Sequence, residues 1–102
     1  MLYRFKLRES ETWAYIEGEC PSAALAKIGC KVWKIETADR LPELSFALWQ
    51  TGFTGSRLSL VAYFQNLDQA KEFVDLQAVL GRDFEVVDRE TMQTIYPTEN
   101  DL

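Results

Sequence analysis

Basic and aromatic residues alternate with apolar ones close to the start of the chain. The cations are Arg4, Lys6 and Arg8, and the rings of Trp13 and Tyr15 follow after a short loop. Cations that hold phosphates beside rings that stack on bases are typical of nucleic-acid binding. The same side chains on one face of a hairpin could instead bind a protein, or satisfy one another.

Two stretches on either side of a four-residue loop predict a β-hairpin. They span residues 2–8 and 13–19 and alternate apolar with polar side chains, as strands with one buried face do. The expected register sets Arg8 opposite Trp13, Lys6 opposite Tyr15 and Arg4 opposite Glu17. Each such contact contributes at most about 1 kcal/mol at an exposed site, but together they let the face satisfy itself. We therefore favour a self-paired sheet surface over a protein-binding face, and nucleic-acid binding ranks last because the strands carry no RRM-type aromatic motif.

The absence of histidine removes the commonest general acid–base group from the chain. Arrangements that activate a serine or cysteine nucleophile through histidine are excluded with it. Cys20 and Cys30 alone cannot supply the four ligands of a zinc site, and no calcium-loop pattern is present. The sequence therefore predicts no metal, no cofactor and no catalytic residue, so an enzyme is the less favoured class.

The two cysteines follow an N-terminus that alternates, where a secretory signal would show a basic start and an apolar block. We expect both thiols to be reduced and semi-buried, and the chain to reside in the cytoplasm. Cys20 precedes Pro21 at a predicted helix start, where the helix dipole lowers a thiol pKa, but capping or packing is the favoured role. No stretch approaches the roughly 18 apolar residues of a membrane-spanning helix, so no membrane contact is expected.

Acidic residues are concentrated in the second part of the chain. The net charge is −5, with +1 over residues 1–40 (seven basic, six acidic) and −6 over residues 41–102 (four basic, ten acidic). Asp68, Glu72 and Asp75 have the spacing that places three carboxylates on one helix face. This acidic patch could occupy a basic groove on a partner, as a nucleic-acid mimic does. A solvated helix face is the favoured interpretation.

Hydrophobic periodicity and turn residues predict the remaining elements. Further strands are expected over 30–37, 45–50, 58–64 and 83–88, and a short helix over 21–28. A second helix is bounded by an Asn66 cap and a Gly81 stop, with Leu80 as the last residue of its apolar face. Residues 89–96 are compatible with a strand or a short helix.

The order β-β-α-β-β-β-α-β predicts an α+β two-layer sandwich. We expect a mostly antiparallel sheet of about five to six strands, with two helices on one face, the other face open, and a ferredoxin-like order. Residues 58–88 predict a strand–helix–strand unit with a crossover between parallel neighbours, and residues 13–37 a weaker copy of it. A single domain would cover 1–96, followed by a polar tail over 97–102.

We expect a non-enzymatic protein-binding module that acts as an adaptor, regulator or inhibitor. A narrower hypothesis is an acidic phage or mobile-element inhibitor of a nucleic-acid-handling enzyme. Two sheet edges also allow a homodimer. The expected contact residues are Trp13, Tyr15, Arg4, Lys6, Arg8 and Phe53, the last at a glycine-flanked tip. One alternative is a ferredoxin-like enzyme or small-ligand domain with a pocket near loop 51–57, and the second is nucleic-acid binding through the hairpin.

Overall fold

In the part of the chain that the structure describes, seven strands form one sheet and two helices pack against it. The computed structural model describes residues 1–7, 12–28, 32–43, 45–52 and 56–97. The elements in chain order are β1 (Leu2–Leu7), β2 (Ala14–Glu17), α1 (Pro21–Ile28), β3 (Val32–Thr37), β4 (Phe46–Thr51), β5 (Arg57–Phe64), α2 (Leu67–Val79), β6 (Phe84–Asp88) and β7 (Thr94–Tyr96). All neighbouring strands are antiparallel, so the predicted α+β class with an antiparallel sheet is confirmed.

The sheet consists of two similar halves and one additional strand. The strand order is β3-β1-β2-β5-β4-β6-β7. In the first half a central strand, β1, is followed by its hairpin partner, a helix, and a strand that returns to the other side of β1. The second half repeats this succession from β4 to β6. The two hairpin partners, β2 and β5, pair with each other in the middle of the sheet.

Three expectations about the sheet need correction. It has seven strands among the described residues where five to six were predicted, and the ferredoxin-like order is not confirmed. The two strand–helix–strand units exist, but their strands are not neighbours: β4 lies between β5 and β6, and β1 lies between β2 and β3. The outer strands of each unit are nevertheless parallel, because both are antiparallel to the strand between them.

The core lies between the sheet and the two helices. Four phenylalanine rings run through it, with centroid distances of 6.2 Å from Phe5 to Phe64, 5.7 Å from Phe64 to Phe73, and 5.7 Å from Phe73 to Phe84. Helix α1 adds buried alanine and isoleucine side chains to the same cluster. Since both helices bury residues in one cluster, they cover the same face of the sheet.

Helix α2 begins and ends where its local signals predict. The side chain of Asn66 accepts a hydrogen bond from the backbone N–H of Gln69 at 3.0 Å, and Gly81 has the positive φ of +81° that a helix stop favours. The expected place of Leu80 in the core is wrong, since 69% of this residue is exposed. It is the C-cap residue, so the helical periodicity that would return it to the core has already ended.

The ambiguous segment 89–96 contains a turn and a strand. The Asp88 carboxylate accepts hydrogen bonds from the backbone N–H groups of Glu90 at 2.8 Å and Thr91 at 3.1 Å. An aspartate that bonds the backbone ahead of it in this way favours a turn over a helix. The chain then pairs with β6 as β7, which is the strand that the sequence left undecided.

Candidate functional site

The N-terminal hairpin forms, but its register is shifted by two residues from the expected one. Arg4 lies opposite Tyr15, and Glu17 lies opposite Leu2. A shift of two keeps every side chain on its predicted face, because side chains alternate with a period of two. The expected pairs Arg4–Glu17 and Lys6–Tyr15 are wrong. On the other edge of β1 the register sets Glu36 of β3 opposite Arg4, which the hairpin considered alone could not reveal.

Among the described residues, three cations lie around the ring of Trp13. The distances to the ring centroid are 4.3 Å from the Arg4 guanidinium, 4.9 Å from the Lys6 ammonium and 5.9 Å from the Lys34 ammonium. The carboxylate of Glu36 bonds to Arg4 and lies 3.8 Å from Lys34. The bond to Glu36 is the main reason that the pKa of Arg4 is raised. Sequence reasoning missed Lys34 because only the sheet topology brings β3 beside β1.

A row of three buried side chains and the half-buried Tyr63 crosses the sheet face that was expected to be open. Tyr15 lies opposite Tyr63, Tyr63 opposite Ala47, and Ala47 opposite Val87, so the row spans four strands. Only 8% of Tyr15 is exposed, and Ala47 and Val87 are buried. The expectation of an open face is therefore wrong for this strip. Tyr15 is out of water without any partner chain.

Arg89 forms hydrogen bonds with the connection between β3 and β4, beside this row. Its guanidinium lies 5.2 Å from the centroid of the Tyr63 ring. It also donates hydrogen bonds to the carbonyl of Pro42 at 3.0 Å and to the hydroxyl of Ser45 at 2.6 Å. The Arg89 side chain, directly after β6, therefore contacts both the connection between β3 and β4 and the ring of Tyr63. Sequence reasoning did not single out Arg89, because its hydrogen-bond partners lie more than forty residues away in the chain.

The predicted acidic patch lies on the exposed surface of α2. Asp68, Glu72 and Asp75 are all exposed. The carboxylate of Asp75 accepts a hydrogen bond from the hydroxyl of Tyr96, and the ammonium of Lys71 lies 5.4 Å from that ring. The patch is therefore connected to β7 at one of its three positions. Its role in binding a partner stays a prediction.

An exposed apolar ridge lies at the C-terminal end of α2 and was not predicted. It consists of Leu76, Val79 and Leu80, of which 61%, 84% and 69% are exposed. Leu76 and Val79 are three positions apart and are therefore neighbours on the helix surface, and Leu80 follows Val79 as the C-cap residue. The available signal was their position outside the core-facing residues Ala70, Phe73, Val74 and Gln77. We call these three residues the α2 ridge.

A small cleft lies beside β5, with a volume of about 180 Å³. It is lined by Glu17, Lys27, Leu60, Val61 and Tyr63. Burial raises the pKa of Tyr63 and the charge of Glu17 raises it further, while Arg89 acts in the opposite direction. Small-molecule sites usually have volumes of about 300–1,000 Å³, so this cleft is small for such a ligand.

The structure also bears on metal binding and on the remaining predicted contact residues. The described residues contain no group of three or more side chains able to hold a metal ion. Arg8 and Phe53 lie outside the described residues, as do Cys30 and the tail beyond Pro97. Cys20 is an exposed free thiol, so its expected semi-burial is wrong.

Comparison with known proteins finds no matching family model, curated protein or solved structure. Across the described ranges, the helices are too short or too polar for any of them to cross a membrane.

Proposed function

We propose that the chain is a non-enzymatic protein-binding module that contacts its partner through the α2 ridge. One observation carries the proposal: three large apolar residues lie together at the C-terminal end and C-cap of α2, and each is more than 60% exposed. Contiguous exposed apolar surface marks interaction sites, whereas single exposed apolar residues are ordinary. Burying one such side chain contributes about 1.5–3 kcal/mol, so three of them can anchor a complex.

The charges beside the ridge favour one kind of partner surface. Glu72 precedes Leu76 by four residues and Asp75 precedes Val79 by four, so a carboxylate lies one helical turn before two of the three ridge residues. A helix that presents apolar residues at this spacing fits an apolar groove. The acidic flank favours a groove with basic residues along its rim. An inhibitor that occupies a basic groove of a nucleic-acid-handling enzyme would fit this description.

The free thiol of Cys20 supports a reducing location for this activity. We therefore keep the cytoplasm as the proposed compartment. The proposal of a homodimer is weaker for the α2 ridge, because two copies packed through it would bring their acidic flanks together. A partner of different sequence suits the ridge better.

The test compares the partners of two variants with those of the wild type. The ridge variant carries Leu76→Ser, Val79→Ser and Leu80→Ser, and the control carries Met92→Ser, which changes an exposed apolar residue in a turn. Each is used for affinity capture from native extract, followed by quantitative mass spectrometry, and circular dichroism verifies folding. We expect a partner that the wild type and the control capture and the ridge variant loses. Retention of every captured partner by the ridge variant would contradict the proposal.

A further inference from the structure

Strand β5 extends well beyond the strand beside it. Strand β2 has four residues and β5 has eight, and the described part of β2 pairs with β5 only at Ala14 with Phe64 and Tyr15 with Tyr63. Residues 57–61 of β5 therefore have β4 on one side and no described strand on the other. Among the described residues, this interior step therefore leaves one side of β5 without a pairing strand, and Leu58 and Ser59 are exposed there while Val61 is buried. An unpaired strand edge is a template for pairing with another extended chain.

The small cleft lies at this step. Leu60 and Val61 of β5 line it, and so does Glu17 at the end of β2. The pairing with β4 skips Leu58 and Val61, which marks a bulge at each. Bulges bend a strand and re-aim its side chains. Leu58 is 64% exposed, so apolar side chains accompany the unpaired backbone on this edge.

We propose that an extended peptide segment of a partner protein pairs with residues 57–61 of β5 and places one aliphatic side chain in the cleft. The unpaired backbone requires donors and acceptors at strand spacing, which a helix does not offer and an extended chain does. The cleft volume of about 180 Å³ is below the roughly 300–1,000 Å³ of small-molecule sites. That space suits a single side chain.

The end of β2 leaves room for a peptide at the step. The Lys27 ammonium donates a hydrogen bond to the backbone carbonyl of Glu17 at 2.8 Å, so the last carbonyl of β2 is already satisfied. The incoming segment need only pair with β5. The carboxylate of Glu17 and the ammonium of Lys27 flank the cleft with opposite charges, which favours an uncharged side chain between them.

This surface is separate from the α2 ridge and uses a different mode of binding. The ridge offers side chains of a helix, whereas the step offers the backbone of a strand. A substitution that abolishes binding through one surface should therefore leave binding through the other intact. A second copy of the chain is the competing occupant of the step, and the test distinguishes it.

The experiment selects binders from a phage-displayed library of short random peptides against the full chain. We expect selected peptides to slow amide hydrogen exchange at residues 57–61, and N-methylation of alternate peptide nitrogens to abolish binding. Leu60→Glu should weaken binding roughly tenfold or more, because it replaces an apolar side chain of the cleft lining with a charged one. The ridge variant serves as control and should bind the peptides unchanged.

Several results would overturn the inference. They are a library that yields no binder above background, peptides that leave exchange at residues 57–61 unchanged, and binding lost in the ridge variant. A dimer of the free chain that protects residues 57–61 would assign the step to a second copy instead, which sedimentation and exchange measured without peptide would reveal. The N-methylated peptides keep the test decisive if Leu60→Glu fails to fold.

Discussion

The guanidinium of Arg4 lies 4.3 Å from the centroid of the ring of Trp13, the residue directly before β2. The same group is bonded to Glu36 on the other side of its own strand. One cation thereby joins β1 to both of its neighbours. The face that resembled a nucleic-acid site is largely occupied by its own contacts, and the partner that satisfies Arg4 comes from a third strand.

The first prediction concerns these contacts. Arg4→Met should lower the urea midpoint of unfolding, because both the ion pair and the contact with the Trp13 ring are lost. Arg40→Met changes an exposed arginine in the connection after β3 and should leave the midpoint unchanged. The difference should shrink in roughly 1 M salt, where the Debye length is about 3 Å. Equal midpoints at low salt would contradict the interpretation.

The second prediction is that labelled single- and double-stranded oligonucleotides do not bind the chain at low salt. Its net charge is −5, and the cations around Trp13 contact that ring, with Arg4 also bonded to Glu36. Phosphate binding depends on cations that release counterions from the nucleic acid. Fluorescence anisotropy measures this directly. Binding that weakens with salt and disappears in Arg4→Met would reinstate nucleic-acid recognition through the hairpin.

The third prediction tests the row of phenylalanine rings in the core. Phe64 is fully buried and contacts the rings of Phe5 and Phe73. Phe64→Ala should lower the free energy of unfolding by about 3–5 kcal/mol, because it removes a ring and leaves a cavity. Val79→Ala, at a residue that is 84% exposed, should change it by no more than about 0.5 kcal/mol. Urea titrations give both values, and a small loss in Phe64→Ala would mean that the core is misassigned.

Local sequence signals were sufficient to predict where the two helices begin and end. The Asn66 cap and the Gly81 stop are sequence features whose effect is confined to a few residues, and α2 begins and ends beside them. The range predicted for the short helix, 21–28, is that of α1. Capping and helical periodicity depend on neighbours in the chain, so a single sequence contains the information.

Contacts between strands that are distant in the sequence could not be predicted from such local signals. Glu36, which bonds to Arg4, comes from a strand that follows a helix. The burial of Tyr15 depends on a row that continues through β5, β4 and β6. The pattern of alternation is the same for registers that differ by two, so it predicts which face a residue occupies and leaves its opposite residue undetermined. For the same reason, the sequence identified the cations near Trp13 on β1 and missed Lys34 on β3.

The fourth prediction follows from the environment of Tyr63. Burial, together with the charge of Glu17, raises the pKa of its phenol, and Arg89 lowers it. We expect Tyr63 to titrate above the usual value of about 10, with Glu17→Gln moving the pKa down and Arg89→Met moving it up. NMR of isotope-labelled tyrosine, assigned with Tyr63→Phe, measures the shift.

The raised pKa of Tyr63 also determines how its ionisation changes the free energy of unfolding with pH. Because its pKa is higher in the folded state, the unfolded chain loses this proton first as the pH rises. The contribution is fully present below the unfolded pKa and is lost as the pH rises through the folded pKa. Wild type and Tyr63→Phe should therefore diverge only in alkaline solution. A divergence near neutral pH would contradict the assignment.

The fifth prediction concerns Cys20 at the start of α1. Its sulfur lies 3.3 Å from the hydroxyl of Ser22, and this hydrogen bond, followed by one from the backbone N–H of Ala23, lowers the thiol pKa. In a Cys30→Ser background, the rate of alkylation by iodoacetamide should therefore reach half its maximum at a lower pH than for a free cysteine. Ser22→Ala should move that midpoint upward, because the largest stabilising contact of the thiolate is removed. Ala26→Ser, an exposed change on the same helix, should not move it. If Ser22→Ala leaves the midpoint in place, the hydroxyl does not control the thiol.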